Sequence, residues 1–437
     1  MIIQRRTTWL FAFLQVLLLS ACGVASHAQV SSMDDEQKLY DIKEAMDLQG
    51  LSTLASSDAD VNFLKALGQS RNIEYARFID VNPALVKAGV GRLLVSLPNG
   101  DIVKFQQRNV YEEGNNTTYW FGDIVSDRKQ HHTSPGEVDI DPVSRIMLVR
   151  QGQRLSGEIY LPGQFYRLEN AGAGRYALIK FGSDSNLKCD PIRESQGKEL
   201  KKAVNGSQPR ARSIIRVMFV STQEARAVDP SFEGRIRAML ASSSQVFRRS
   251  NVDLEFEYAG YYASSLKEAE LEQDPKKILR EVRGPNTPVA RQIAEQRESK
   301  QADLVVTAVA YPFFGGQAYV SARKETAFAL ISVMHDSDTL THQLGHLLGG
   351  DHTWKPGDTD QGDPPYKFAH EFFANGAKYH TIMGKFDCGK NGCDHYDMGQ
   401  FSDPNASFAS VRLGTKEHND NVRYFNEVRD DVSKFYP

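Results

Sequence analysis

Three histidines, His342, His346 and His352, fall in the run TLTHQLGHLLGGDH between Thr339 and His352. On a helix the first two are one turn apart, so both imidazoles leave the same face and can share one metal ion. The third lies beyond the helix, and Gly349 with Gly350 delivers it. Glycine takes positive φ at little cost, ends the helix and turns the chain back toward the ion. Three neutral nitrogens with an open fourth position describe a catalytic zinc site. Leu340, Leu344, Leu347 and Leu348 also keep helical spacing, so the helix has an apolar stripe for the core while its histidines face a cleft. The rival reading is a structural zinc domain, which closes the fourth position permanently.

The spacing H-x-x-x-H-x-x-G-x-x-H resembles that of the metzincin zinc peptidases, H-E-x-x-H-x-x-G-x-x-H. One letter differs, because Gln343 stands where the family has glutamate. The resemblance implies that position 343 is the general-base position, where a carboxylate takes a proton from zinc-activated water and hands it to the leaving amine. An amide has no proton to exchange near neutral pH, and losing a general base costs roughly two to four decades of rate. The resemblance therefore predicts a zinc metalloendopeptidase made as a zymogen, inactive or strongly impaired with Gln343. The alternative is a catalytically silent, zinc-bound pseudopeptidase that binds peptides or proteins.

Thr381-Ile382-Met383-Gly384 matches the Met-turn, in which Met383 would lie under the zinc ligands as an apolar floor. Lys385 follows where astacins and serralysins carry an extra tyrosine ligand, so the chain is similar to the reprolysin or adamalysin branch. Phe401-Ser402-Asp403-Pro404 resembles the FSNP phrase of that branch, which implies the outer wall of a specificity pocket. In the same family the stretch FGGQAYVS would hold the edge strand, with Ala318, Tyr319 and Val320 offering main-chain hydrogen bonds to a peptide substrate.

The elements that must position these residues read as α/β. SIIRVMFVST is a buried strand, a helix from Pro230 places Phe232, Ile236, Met239, Leu240, Val246 and Phe247 on one face, and LEFEYAGYY alternates as a strand. NTPVARQIAEQRESK is a further helix, and ADLVVTAVAY is apolar enough for the middle of a sheet. LGTKEHNDNVRYFNEVRDDVSKFY is expected to be the terminal helix. This is a metzincin-like catalytic domain, a mixed sheet with the zinc-site helix, over 214–437. Before it, 29–205 is expected to form a β-rich propeptide domain and 206–213 a linker, with Arg210 and Arg212 as a cutting point for an activating protease.

Between Arg92 and Lys180 short β-rich runs alternate with turn residues such as Pro98-Asn99-Gly100. Their order resembles the propeptides of bacterial reprolysin-like metallopeptidases. DDEQKLYDIKEAMDLQGL, further upstream, is compatible with short helices and carries no chemistry.

The chain has 437 residues, 41 % of them hydrophobic, enough for two cored domains. A net charge of −3 without a long basic run speaks against a nucleic-acid partner. Arg5 and Arg6, the apolar run Trp9–Leu19 and the small residues after it lay out a signal peptide over 1–28 and predict export. Leu19-Ser20-Ala21-Cys22 looks like a lipobox, which would tie Cys22 to the membrane by a lipid alone, while Ser26-His27-Ala28 offers cleavage to a freely secreted form.

Of the four cysteines, Cys22 goes with export, and Cys388 and Cys393 are close enough to pair as a disulfide. Cys189 is left over by that count. In metzincin zymogens a propeptide cysteine commonly takes the fourth zinc position as thiolate, so the resemblance makes Cys189 the latch ligand. A buried thiol, or a disulfide with the C-terminal pair, is the plainer reading. Asp358, Asp360 and Asp363 lack EF-hand spacing and read as a solvated loop, and His370, His380 and His395 as cleft lining or surface.

Overall fold

The structure, a computed structural model, describes residues 36–47, 58–70, 73–114, 116–132, 134, 136–138, 140–182, 189, 191–193, 211–284, 286–311, 315–320, 323–358, 363–384 and 395–436. The signal-peptide and lipobox readings at Cys22, the linker with Arg210, Asp360, Lys385 and the Cys388/Cys393 pair lie outside the described residues.

The N-terminal part is built from β1 (Gln37–Lys38), β2 (Tyr40–Ala45), α1 (Ala59–Ser70), β3 (Ile73–Val81), β4 (Arg92–Ser96), β5 (Ile102–Glu113), β6 (Thr117–Val125), β7 (Ile140–Gln151), β8 (Arg154–Leu161), β9 (Gln164–Asn170) and β10 (Tyr176–Phe181). The strands form one sheet in the order β1-β4-β5-β6-β7-β8-β9-β10-β3-β2. Its two outermost strands are consecutive in the chain, β1 on β4 and β2 on β3. The segment 37–45 therefore joins both edges and curls the sheet into a barrel, leaving no long edge open to pair with another chain. Over 37–45 these closing strands stand where short helices are expected. Leu39 and Tyr40 of the segment are buried in the interior, Ile42 packs half-buried against it, and most of the rest is exposed.

Leu39, Phe105, Trp120, Ile146, Leu148, Ile159 and Leu168 fill the barrel, and the Trp120 indole donates to Val90 O at 3.1 Å. On β7 to β9 the outward positions are buried too, because that wall packs against the rest of the molecule. The buried outward face includes the charged side chains of Arg145, Glu158, Arg167 and Glu169 beside its apolar ones.

The second layer system holds β11 (Ser213–Ser221), α2 (Phe232–Arg249), β12 (Leu254–Ala263), α3 (Pro275–Arg283), α4 (Pro288–Lys300), β13 (Leu304–Val309), β14 (Gly316–Ala318), β15 (Phe328–Ser332) and α5 (Ser337–Leu347). Its sheet runs β12-β11-β13-β15-β14, parallel throughout except for β14 at the edge. β13 is central, as its unbroken apolar sequence requires. Ile278, Leu279, Val282 and Ile293 of α3 and α4 cover one face, while α2 and α5 pack on the other through Ile236, Met239, Phe247, Leu340 and Leu344. The architecture is mixed α/β. Ala238 of α2 also meets Tyr119, Phe121, Met147 and Val149 on the outside of the barrel.

Beyond α5 come short strands, β16 (Asp351–Thr353) on β17 (Phe368–Ala369), then β18 (Glu371–Ala374), β19 (Ala377–His380) and β20 (His395–Asp397). The last helix, α6 (Asn421–Val432), starts at an Asp420 cap, so LGTKEHND stays outside it, against the sequence expectation. Phe401 is 1 % exposed, with its ring 4.4 Å from Phe247 and 4.9 Å from Phe425. Among the described residues, no helix is long and apolar enough to cross a membrane.

Candidate metal centre

α5 begins at Asp336, whose carboxylate accepts from Thr339 N at 2.9 Å and so satisfies one of the open donors of the first turn. Its leucines face the core, each worth about 1.5–3 kcal/mol of burial. The helix ends where the sequence predicts. Gly349 sits at φ +88°, Gly350 N donates to Gly345 O at 2.9 Å, and β16 then carries His352 back.

The turn brings the three histidines together. His352 Nε2 lies 3.2 Å from His342 Nε2 and 3.1 Å from His346 Nε2. The opposite ring nitrogens are tied to backbone carbonyls, His342 Nδ1 to Ile382 O and His346 Nδ1 to Gly350 O, both at 2.8 Å. Those carbonyls accept only from an N–H, which leaves the Nε2 atoms of these two rings as lone-pair donors. Lone pairs this close repel one another unless a cation lies between them. Two nitrogens bound ~2.0–2.1 Å from a tetrahedral zinc stand roughly 3.3 Å apart, so the donor set fits the ion. Burial pushes the His342 imidazole down to about 3, with His346 adding to it, and burial takes His346 down to about 4. Both are neutral at physiological pH, the form a metal needs.

Met383 is fully buried beneath the helix, and a Cβ at Gly345 would come within 2.3 Å of its sulfur. A side chain at position 345 and the methionine cannot coexist there. Position 343 faces the same space. Gln343 is 1 % exposed, and a Cβ at Gly316 would lie 2.7 Å from its side chain, so β14 passes directly over it. Gly316 pairs with Ile331 and Ala318 with Ala329, which leaves the other side of β14, continued by Tyr319 and Val320, toward the cleft.

That side is taken by residues from upstream. Ile192 N donates to Ala318 O at 2.8 Å and Val320 N to Ile192 O at 3.0 Å, a parallel bridge centred on Tyr319. Cys189 Sγ sits 3.5 Å from His346 Nε2 and accepts from Gln343 Nε2 at 3.4 Å. The sulfur and the three imidazoles, with all ligand atoms within 4.8 Å of one another, form the metal-ligand group found among the described residues. His370 and His380 stand outside it. His370 stacks on Phe372, and His380 is buried beside Thr381. Asp358 accepts from Lys355 N at 2.7 Å within its own loop.

Sequence reasoning passed over Arg193 and Asp351. The Arg193 guanidinium makes two hydrogen bonds to the Asp351 carboxylate, at 2.9 and 2.5 Å, next to His352. Burial would raise the Asp351 carboxyl, but the hydrogen bonds and charge of Arg193 outweigh it and hold it below its usual range. An acidic residue just before the third histidine, in GGDH, was the available signal.

No family model matches the chain. Over 336 residues, 72 % of this chain and 76 % of the relative, it is 27 % identical to the peptidyl-Asp metalloendopeptidase of Stenotrophomonas maltophilia strain R551-3. Over 338 residues, with the same shares of each chain, it is 28 % identical to the protein of that name from strain K279a. A peptidyl-Asp metalloendopeptidase of Xanthomonas campestris pv. campestris is 24 % identical over 397 residues, 88 % of this chain and 91 % of that one. Metalloproteinase-II from Bacteroides fragilis aligns at a TM-score of 0.35 and 9 % identity over 61 % of this chain and 83 % of that one, too loosely for an argument. The relatives and the histidine cluster together support a metallopeptidase.

Proposed function

We propose that the chain is an exported zinc metalloendopeptidase of the metzincin type, in the reprolysin-like branch, made as a zymogen whose N-terminal barrel is the propeptide. The observation that carries this reading is the convergence of His342, His346 and His352 on one point, above Met383 and beside the edge strand β14. Zinc held there supplies Lewis-acid polarisation of a peptide carbonyl and acidifies water. The chain's own residues do the rest. Main-chain groups of Ala318 and Val320 bind an extended peptide, as they bind Ile192 here. Position 343 is placed to move the proton between attacking water and leaving amine. Cys189 is the latch that fills the fourth position until cleavage between the barrel and β11 frees it. Export is supported by the N-terminal pattern of Arg5, Arg6 and the apolar run after them.

With Gln343 the proton step has no carrier. The amide hydrogen bond to the Cys189 sulfur favours the second reading, a silent zinc-bound module, since an ionised glutamate could not donate there. Restoring the carboxylate separates the two. Gln343→Glu, tested after linker cleavage on an unfolded protein and on aspartate-containing peptides, the class named for the relatives, should raise chelator-sensitive cleavage by roughly 10²–10⁴-fold. No cleavage with one zinc per chain present would sink the enzyme reading.

A further inference from the structure

Cys189, Ile192 and Arg193 touch the cleft at three places. The thiol is at the histidines, the Ile192 backbone is on β14, and the Arg193 side chain is on Asp351. The first two contacts belong to the latch already described. The third does something else, because the Asp351 carboxylate is fully buried while the arginine that reaches it is 48 % exposed. The guanidinium thus covers the carboxylate from the more exposed side.

We propose that Asp351 is the floor of a side-chain subsite for a basic residue of a bound peptide, and that Arg193 fills this subsite from within the chain. The inference rests on the reading of the groove as a peptide cleft. Without Arg193 the Asp351 carboxylate is a negative charge with no cation on it, so the emptied groove favours a ligand that brings another. Main-chain bonds to Ala318 and Val320 are open to any sequence, and they fix the register in which a side chain can reach Asp351. The two-pronged contact matches the guanidinium fork, and lysine, a point charge, is held less well.

The test uses the full chain carrying Cys189→Ser and Arg193→Ala, with its zinc content measured in the same sample. Two fluorescent peptides copy residues 186–196 with serine for cysteine, one keeping arginine at the position of Arg193 and one with alanine. By anisotropy the arginine peptide should bind roughly 10-fold or more tighter, the worth of a charged hydrogen-bond pair. Adding Asp351→Asn should remove the difference. Equal affinities, or no binding of either peptide, in protein holding one zinc per chain would overturn the subsite and leave the metallopeptidase reading standing. A preference that survives Asp351→Asn would also overturn it. Should that variant fail to fold, the arginine/alanine comparison decides alone.

Discussion

At its first turn α5 is gripped by side chains of the barrel. Glu158 of β8 accepts from Ser337 N at 3.1 Å and from its hydroxyl at 2.5 Å, Arg145 of β7 pairs with Asp338, and Arg167 of β9 reaches Met334 O at 3.4 Å. At its last turn the upstream chain meets the helix through the Cys189 sulfur on His346, with Arg193 on Asp351 nearby. The side chains of Arg145 and Asp338 are 8 % and 9 % exposed, whereas that of Arg193 is 48 % exposed. The first contact is a charge network buried on both sides, and the second has one half-exposed partner. On the proposed reading this division suits a zymogen. On that reading, cutting the chain before β11 would free the metal end while the barrel stayed docked on the helix start.

The largest expected effect lies at the metal end. His346→Ala removes one donor, and since disturbing only the partners of ligands costs 10–100-fold in affinity, loss of the ligand itself should cost about 100-fold or more. A competition titration with a zinc chelator measures it. The comparison further requires the barrel contact to survive, so the variant should keep wild-type resistance to proteolysis within 140–181. Joint loss of zinc and of that resistance would show the two ends to be one cooperative unit.

Arginine removal sets the ends directly against each other. Arg145→Ala removes the cation that favours the ionised Asp338 carboxyl, which then takes up a proton, so that only a buried hydrogen bond is lost, a cost of about 1–3 kcal/mol read as a drop in unfolding free energy in urea. Arg193→Ala should cost about 1 kcal/mol or less, because a half-exposed partner is replaced by water. Alkylation of Cys189, followed by mass spectrometry, should meanwhile become several-fold faster in Arg193→Ala and stay unchanged in Arg145→Ala. The opposite ranking would break the division between clamp and latch.

How much of this was legible in the sequence follows the same division. The metal end is local. Two histidines a turn apart, a glycine at positive φ and a third histidine determine their own geometry within one helix and its turn, and Met383 is held by the absence of a side chain at Gly345. The clamp is not local. Glu158 stands 179 positions before Ser337, and Arg145 193 before Asp338. In a strand such as SGEIYL a glutamate between apolar residues reads as the solvent face, and only docking of that face buries it. The pairing of Arg193 with Asp351 was hidden likewise, spanning 158 positions with one partner in a hydrophilic stretch. β1 and β2 were missed for another reason, since a strand that closes a barrel by its backbone needs few apolar residues of its own.

The clamp also carries a pH signature, the smallest of these effects. Burial pushes the Asp338 carboxyl up to about 7 even though Arg145 pulls it down, with Asp397 and Asp336 adding to the rise. Burial raises Glu158 as well, Asp336 adding to it against the pull of Arg167 and of its bonds to Ser337. A carboxyl whose folded pKa exceeds its unfolded value of about 3.9 holds its proton more tightly in the folded state. Its contribution to stability is therefore complete below about pH 4 and is lost as pH rises through about 7. Asp338→Asn keeps the shape without the titration, so unfolding free energy should fall less across that window in the variant than in wild type. Urea titrations at several pH values between 4 and 8 measure it. If wild type and variant trace parallel curves, Asp338 is ionised throughout the window, and the charge network at the first turn is more open to water than its burial implies.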